Sequence, residues 1–223
     1  MFHIKICGVR LQQDVDAAAD SAADAIGLNF FPSSIRFVDP ADESTRLLSE
    51  HAANRKLVRV GVFVNESIET IAETVQRVGL DVVQLHGDET VAMATSLIND
   101  GYTVIRAVKL PIGDLSPDEI ELRTATWRAA GALLLLDADA GAAHGGSGKT
   151  LDWNAIRRWS LKFPGDDWVL AGGLHPENVA EAVRQSGAVR VDVASGVEQP
   201  RGTKSADRIR SFAEIASRQF TAK

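Results

Sequence analysis

The chain holds a single cysteine, Cys7, and a lysine stands two positions before it in the stretch KICG at 5–8. Residues two apart project from the same face of a strand, so Lys5 and Cys7 share a side if residues 2–7 are extended. A thiol beside an ammonium can act as a base, because the cation favours the thiolate. A free cysteine between isoleucines can equally be a small core hydrophobe. Further polar residues recur late in apolar runs: Asn29, His86, Arg106, Asp137 closing LLLLD, and Asp192 in VRVDVA. Polar groups placed late in several strands would suggest one shared pocket if the fold brings those ends together. Taken singly, each residue also has a structural reading. An Asp after a strand caps the next helix or turn, a His bonds to backbone, Arg106 pairs with a core carboxylate, and Asn29 holds a loop.

A fold that gathers strand ends would unite them, and the chain carries its rhythm. Eight short apolar runs occur at 2–7, 25–30, 57–63, 81–86, 103–108, 132–138, 168–173 and 189–194. Between them lie alanine-rich, charged stretches expected to be helices at about 12–23, 40–54, 66–78, 88–99, 117–129, 152–161, 176–186 and 204–218. Strand then helix, eight times, predicts parallel crossover units. Eight units close naturally into an α/β fold of the TIM barrel type, (β/α)8, read here as one domain over 1–223; a doubly wound open sheet has the same pattern. In such barrels the carboxyl ends of the strands form the working face, and the six polar residues sit there. Ser67, Ser116 before Pro117, and Pro176 before Glu177 supply helix-start chemistry.

Composition bounds the partners. With 45% hydrophobic and 24% charged residues the chain reads as soluble and globular, and a net charge of −6 argues against nucleic acid. No apolar stretch is long enough to cross a membrane. The start Met-Phe-His-Ile-Lys lacks the basic region and apolar run of a signal peptide, so a reducing cytoplasm is expected. A monomer is expected.

Three glycine-containing turns follow late strands, at 144–153, 170–179 and 194–205. The first imitates a nucleotide P-loop, but Ala143 stands where that motif needs glycine, and no strand-linked G-x-G-x-x-G occurs. Glycines there suit a phosphate cradle, in which bare backbone N–H groups approach an anion; they also permit tight turns.

KICG, FPSSIR (31–36), GVFVN (61–65), VQLHG (83–87), the LLLLD strand end, GGSGKTLDW (145–153), LAGGLHPENV (170–179) and VDVASGVEQPRGTKS (191–205) occur in that order. Together they resemble the phosphoribosylanthranilate isomerases, (β/α)8 barrels of tryptophan biosynthesis. Ser147 and Ala194 depart conservatively from the family's usual threonine and serine. The resemblance implies an Amadori aldose–ketose isomerisation of N-(5-phosphoribosyl)anthranilate, a sugar-phosphate substrate, without cofactor or metal. It implies Cys7 as general base and Asp137 as general acid, with Arg36 meeting the anthranilate carboxylate. Lys5, His86, Arg106 and Asp192 are expected to line the substrate pocket, and Gly146, Gly172, Gly173, Ser195 and Gly196 to hold the phosphate. Lys5, on the strand face of Cys7, is expected to poise the thiol as a base. Rival readings are another sugar-phosphate barrel, such as an indole-glycerol-phosphate synthase or a histidine-pathway isomerase, and a non-catalytic phosphometabolite-binding module.

Overall fold

The computed structural model describes residues 2–139, 150–164 and 168–221. Eight strands and eight α-helices alternate among them: β1 (Ile4–Cys7), α1 (Gln12–Ala19), β2 (Ala25–Asn29), α2 (Glu43–Asn54), β3 (Val58–Phe63), α3 (Ile68–Val78), β4 (Val82–Leu85), α4 (Val91–Asn99), β5 (Val104–Leu110), α5 (Pro117–Ala129), β6 (Leu133–Ala138), α6 (Trp153–Lys162), β7 (Trp168–Leu170), α7 (Val179–Ser186), β8 (Val191–Val193) and α8 (Ala206–Thr221). The strands pair in chain order, and β8 pairs in parallel with β1 to close the barrel. The closed barrel, rather than the open sheet, is the form adopted.

The pleat sorts the side chains. Phe2, Ala25, Val60, Val82, Ile105, Ala107, Leu135 and Val169 pack inside the barrel. Their chain neighbours, among them Ile26, Val83, Leu134 and Leu136, join the layer between sheet and helices. Burial on both faces is why these strands read as continuous apolar runs without alternation.

Local chemistry sets the element ends. Ser67 accepts the Thr70 N–H at the start of α3, and Ser116 forms a capping box with Glu119 around Pro117 at the start of α5, as expected. The helix expected at Pro176 begins at Val179 instead. The Asn178 side chain accepts the His175 N–H at 2.8 Å and donates to the Gly173 carbonyl at 2.9 Å, so these residues brace a turn before the helix starts. β7 stops at Leu170, short of the expected 173, because Gly172 and Gly173 take φ of +78° and +67°, outside strand geometry. A short 3-10 helix at Ser195–Val197, absent from the sequence reading, follows β8. No helix among the described residues is long and apolar enough to cross a membrane.

Candidate active site

Cys7 ends β1 on the inward face, in register with Gly27 of β2. A Cβ on Gly27 would lie 2.7 Å from the Cys7 Sγ, so the missing side chain makes room for the sulfur. The thiol is nearly buried, and burial pushes its pKa above the ordinary value. The Lys5 ammonium pulls the other way, as do Lys204 and Arg36, while the Asp192 carboxylate adds to the upward push; the balance stays upward.

This corrects the expectation that Lys5 alone poises the sulfur. Lys5 is fully buried, its Nζ lies 3.2 Å from Asp192 Oδ1, and it donates to Gln84 Oε1 at 2.5 Å. Burial would lower the Lys5 pKa, but the Asp192 charge outweighs it, with help from Cys7, and the ammonium is held above its ordinary value. Lys5 and Asp192 are register neighbours across the β8–β1 seam. Their charges largely answer each other beneath the mouth, so Lys5 supports the pocket floor rather than facing the space above it.

Across the barrel, Asp137 sits near the end of β6 on the inward face. Its Oδ1 accepts the Ala138 N–H at 2.9 Å, and its Oδ2 lies 3.4 Å from His86 Nε2. His86 directly follows β4, and its Nδ1 lies 3.0 Å from Gln84 Nε2. Both His86 and Asp137 keep about a quarter of their side chains exposed, 28% and 26%, so both reach the open mouth. Lys109, the register neighbour of Asp137 on β5, adds an exposed cation to the same rim.

Arg36, in the loop after β2, is held by Glu198 through Nε at 2.6 Å and Nη2 at 2.8 Å. Glu198 also accepts from Lys204 at 2.9 Å and from the Gly202 N–H at 2.8 Å. Lys204 is nearly buried and donates to the Ala194 carbonyl as well. Gln84, Lys109, Glu198 and Lys204 were missed in the sequence. Gln84 stands two before His86, the spacing that joined Lys5 to Cys7, and could have been found that way; the two loop residues carry no periodic signal.

Arg106 is not in the pocket. Ile105 and Ala107 on either side of it point into the barrel, so Arg106 points outward. There it pairs with Glu89 at 2.5 Å, donates to the Gly87 carbonyl at 2.9 Å and stacks 4.5 Å over the Trp127 ring. Asn29, likewise, accepts the Phe31 N–H and holds its loop.

The two described glycine turns meet. A Cβ on Gly196 would strike the Leu174 carbonyl oxygen and come within 2.9 Å of His175 Cβ, so the turn after β8 is pressed against the turn after β7. The N–H groups of Gly172 and Gly173 have no acceptor among the described residues. Gly172 also lies against Asp137 and Ala138, leaving no room for a side chain. Gly146 and Ser147 lie outside the described residues.

Residues 4–215 match the model of the N-(5'phosphoribosyl)anthranilate (PRA) isomerase family. The chain belongs to this isomerase family. An N-(5'-phosphoribosyl)anthranilate isomerase from Rhodospirillum rubrum is 41% identical over 215 residues, covering 94% of each chain. The crystal structure of phosphoribosyl anthranilate isomerase from Thermotoga maritima superposes with a TM-score of 0.84 at 35% identity, covering 97% of this chain and 99% of that one. A phosphoribosyl anthranilate isomerase in complex with reduced 1-(o-carboxyphenylamino)-1-deoxyribulose 5-phosphate gives 0.80 at 34% identity, with the same coverage. The activity is therefore that of a phosphoribosylanthranilate isomerase of tryptophan biosynthesis, as the ordered motifs implied, and the rival readings fall away.

Proposed function

We propose that the isomerisation runs between Cys7 as base and Asp137 as acid. Asp137 delivers a proton to the furanose oxygen as the C1–O bond breaks, and the anthranilate nitrogen lone pair forms the iminium. Cys7 then removes the C2 hydrogen, the electron pair moves to the iminium, and the resulting enolamine tautomerises to the ketone. The single observation that carries this reading is that the only thiol, at the end of β1, and Asp137, near the end of β6, both point inward at one mouth.

The surroundings support a sugar phosphate bearing a carboxylate. The N–H groups of Gly172 and Gly173, which meet no acceptor among the described residues, lie beside the Ser195–Gly196 turn and suit the phosphate. Arg36 is held by Glu198 on one edge, leaving Nη1 for the anthranilate carboxylate. Asp192 and His86 frame the space between.

The loss of anthranilate fluorescence from the substrate reports turnover. Cys7→Ala and Asp137→Ala are each expected to lower kcat by at least about a hundredfold in a folded protein. Near-full turnover in either variant removes that residue from the mechanism.

The same reading takes residues 1–223 as one domain acting as a cytoplasmic monomer. A dimer mass in light scattering would overturn the monomer.

A further inference from the structure

Five side chains from β8, β1, β4 and β6 form a line through the barrel: Asp192, Lys5, Gln84, His86 and Asp137. Hydrogen-bond chemistry fixes its direction. The Lys5 ammonium has donors only, so the Gln84 atom at 2.5 Å from it must be the carbonyl oxygen. That turns the Gln84 NH2 towards His86 Nδ1 at 3.0 Å. An amide NH2 also only donates, so Nδ1 must accept, and the ring proton must reside on Nε2. Nε2 faces Asp137 Oδ2 at 3.4 Å.

We propose that Gln84 is a positioning residue for the acid step: anchored by Lys5, it holds His86 in the Nε2–H tautomer and so sets an N–H rather than a lone pair beside Asp137 Oδ2, at 3.4 Å, longer than a hydrogen bond in the free protein. The inference rests on the reading of Asp137 as proton donor. When Asp137 releases its proton it becomes a carboxylate whose Oδ1 already accepts from the Ala138 N–H. An N–H beside Oδ2 stabilises that carboxylate more than the acid, and so favours ring opening. The other tautomer would set a lone pair against the developing charge. Gln84 itself is fully buried and lies below the mouth, so it acts only through His86. The ionisable groups that meet the His86 ring are Asp137 from β6 and Asp192 from β8, while Lys5 from β1 reaches it through Gln84.

The test is Gln84→Glu, which keeps the size and the acceptor for Lys5 but replaces the donor facing Nδ1 with an acceptor. Nitrogen-15 spectra of the histidine-labelled full chain read the ring protons, with the His86 signals assigned by their loss in His86→Asn. The wild-type ring is expected to show a protonated Nε2 and a bare Nδ1, and Gln84→Glu to move that proton to Nδ1 and leave Nε2 bare. With that change kcat should fall about twofold to tenfold, the range of a modest polar contact rather than of a short hydrogen bond to a charge, while KM changes little. A proton on Nδ1 of wild-type His86 overturns the proposal, and this reading needs no variant to fold. A Gln84→Glu protein with unchanged kcat overturns it as well. Full turnover in Asp137→Ala would instead sink the acid assignment, which the tautomer measurement does not touch.

Discussion

Replacing Glu198 by Gln removes the negative charge that joins Arg36 to Lys204. Burial would raise the Glu198 pKa, but the two Arg36 hydrogen bonds, Lys204 and the Gly202 N–H hold it at about 2, against an ordinary 4.5. The folded value lies below the unfolded one. This carboxylate therefore stabilises the fold fully above about pH 4.5, and the contribution is lost as the pH falls towards about 2. At about 1.4 kcal/mol per pH unit the full shift corresponds to about 3 kcal/mol. Glu198 itself is 1% exposed, but its partner Arg36 is 16% exposed and lets water screen part of the pair, leaving about 2 kcal/mol. Urea unfolding at a series of pH values measures this directly. Wild-type stability should fall between about pH 5 and pH 2 by about 2 kcal/mol more than that of Glu198→Gln, which starts lower at neutral pH by a similar amount. Parallel curves for the two proteins would show that the Arg36–Glu198–Lys204 cluster does not hold the loop as argued.

Gly27→Ala places a Cβ 2.7 Å from the Cys7 Sγ and must displace the sulfur; kcat should drop by up to about a hundredfold with the fold intact, and full turnover would mean that the sulfur's position does not matter. Arg106→Ala strands the buried Glu89 without its cation and should cost about 3–5 kcal/mol in denaturant unfolding while leaving KM unchanged; a raised KM without loss of stability would return Arg106 to the pocket. Alkylation of Cys7 by iodoacetamide in the free protein should be slow at neutral pH and still climbing above 9.0, the ordinary value from which burial raises the thiol; a rate that levels off below about pH 8 would restore Lys5 as the dominant influence.

The barrel was legible because eight runs of strand length alternate with helix-length stretches, and because continuous apolar runs are what a parallel sheet covered on both faces requires. That same property hid which way single residues point. In VIRAV nothing marks Arg106 as outward, since Ile105 and Ala107 inside are as apolar as Val104 and Val108 on the helix side. Lys109, three residues on and inward by the same alternation, fell just past the end of the expected strand. Cys7, His86, Asp137 and Asp192 were found because a polar group late in such a run is conspicuous whichever face it takes. Glu198 and Lys204 lie in a loop, where spacing says nothing about approach.

The activation of the thiol shows why spacing along one strand was insufficient. Lys5 does share the face of Cys7, but the opposing carboxylate comes from β8, the strand that closes the barrel, and its nearness follows from closure rather than from anything local. The same holds for Arg36 and Lys204: each acts on the sulfur, and each is already met by Glu198. Three cations near one sulfur are thus answered by two carboxylates, and burial decides the remainder in favour of the thiol. A base poised by one neighbour is the wrong picture for the free protein. If substrate brings its own carboxylate to the Nη1 that Glu198 leaves open on Arg36, the added negative charge weakens the pull of that arginine on Cys7. On this argument the sulfur and the arginine are coupled through Glu198, although no residue of the Cys7 strand touches it.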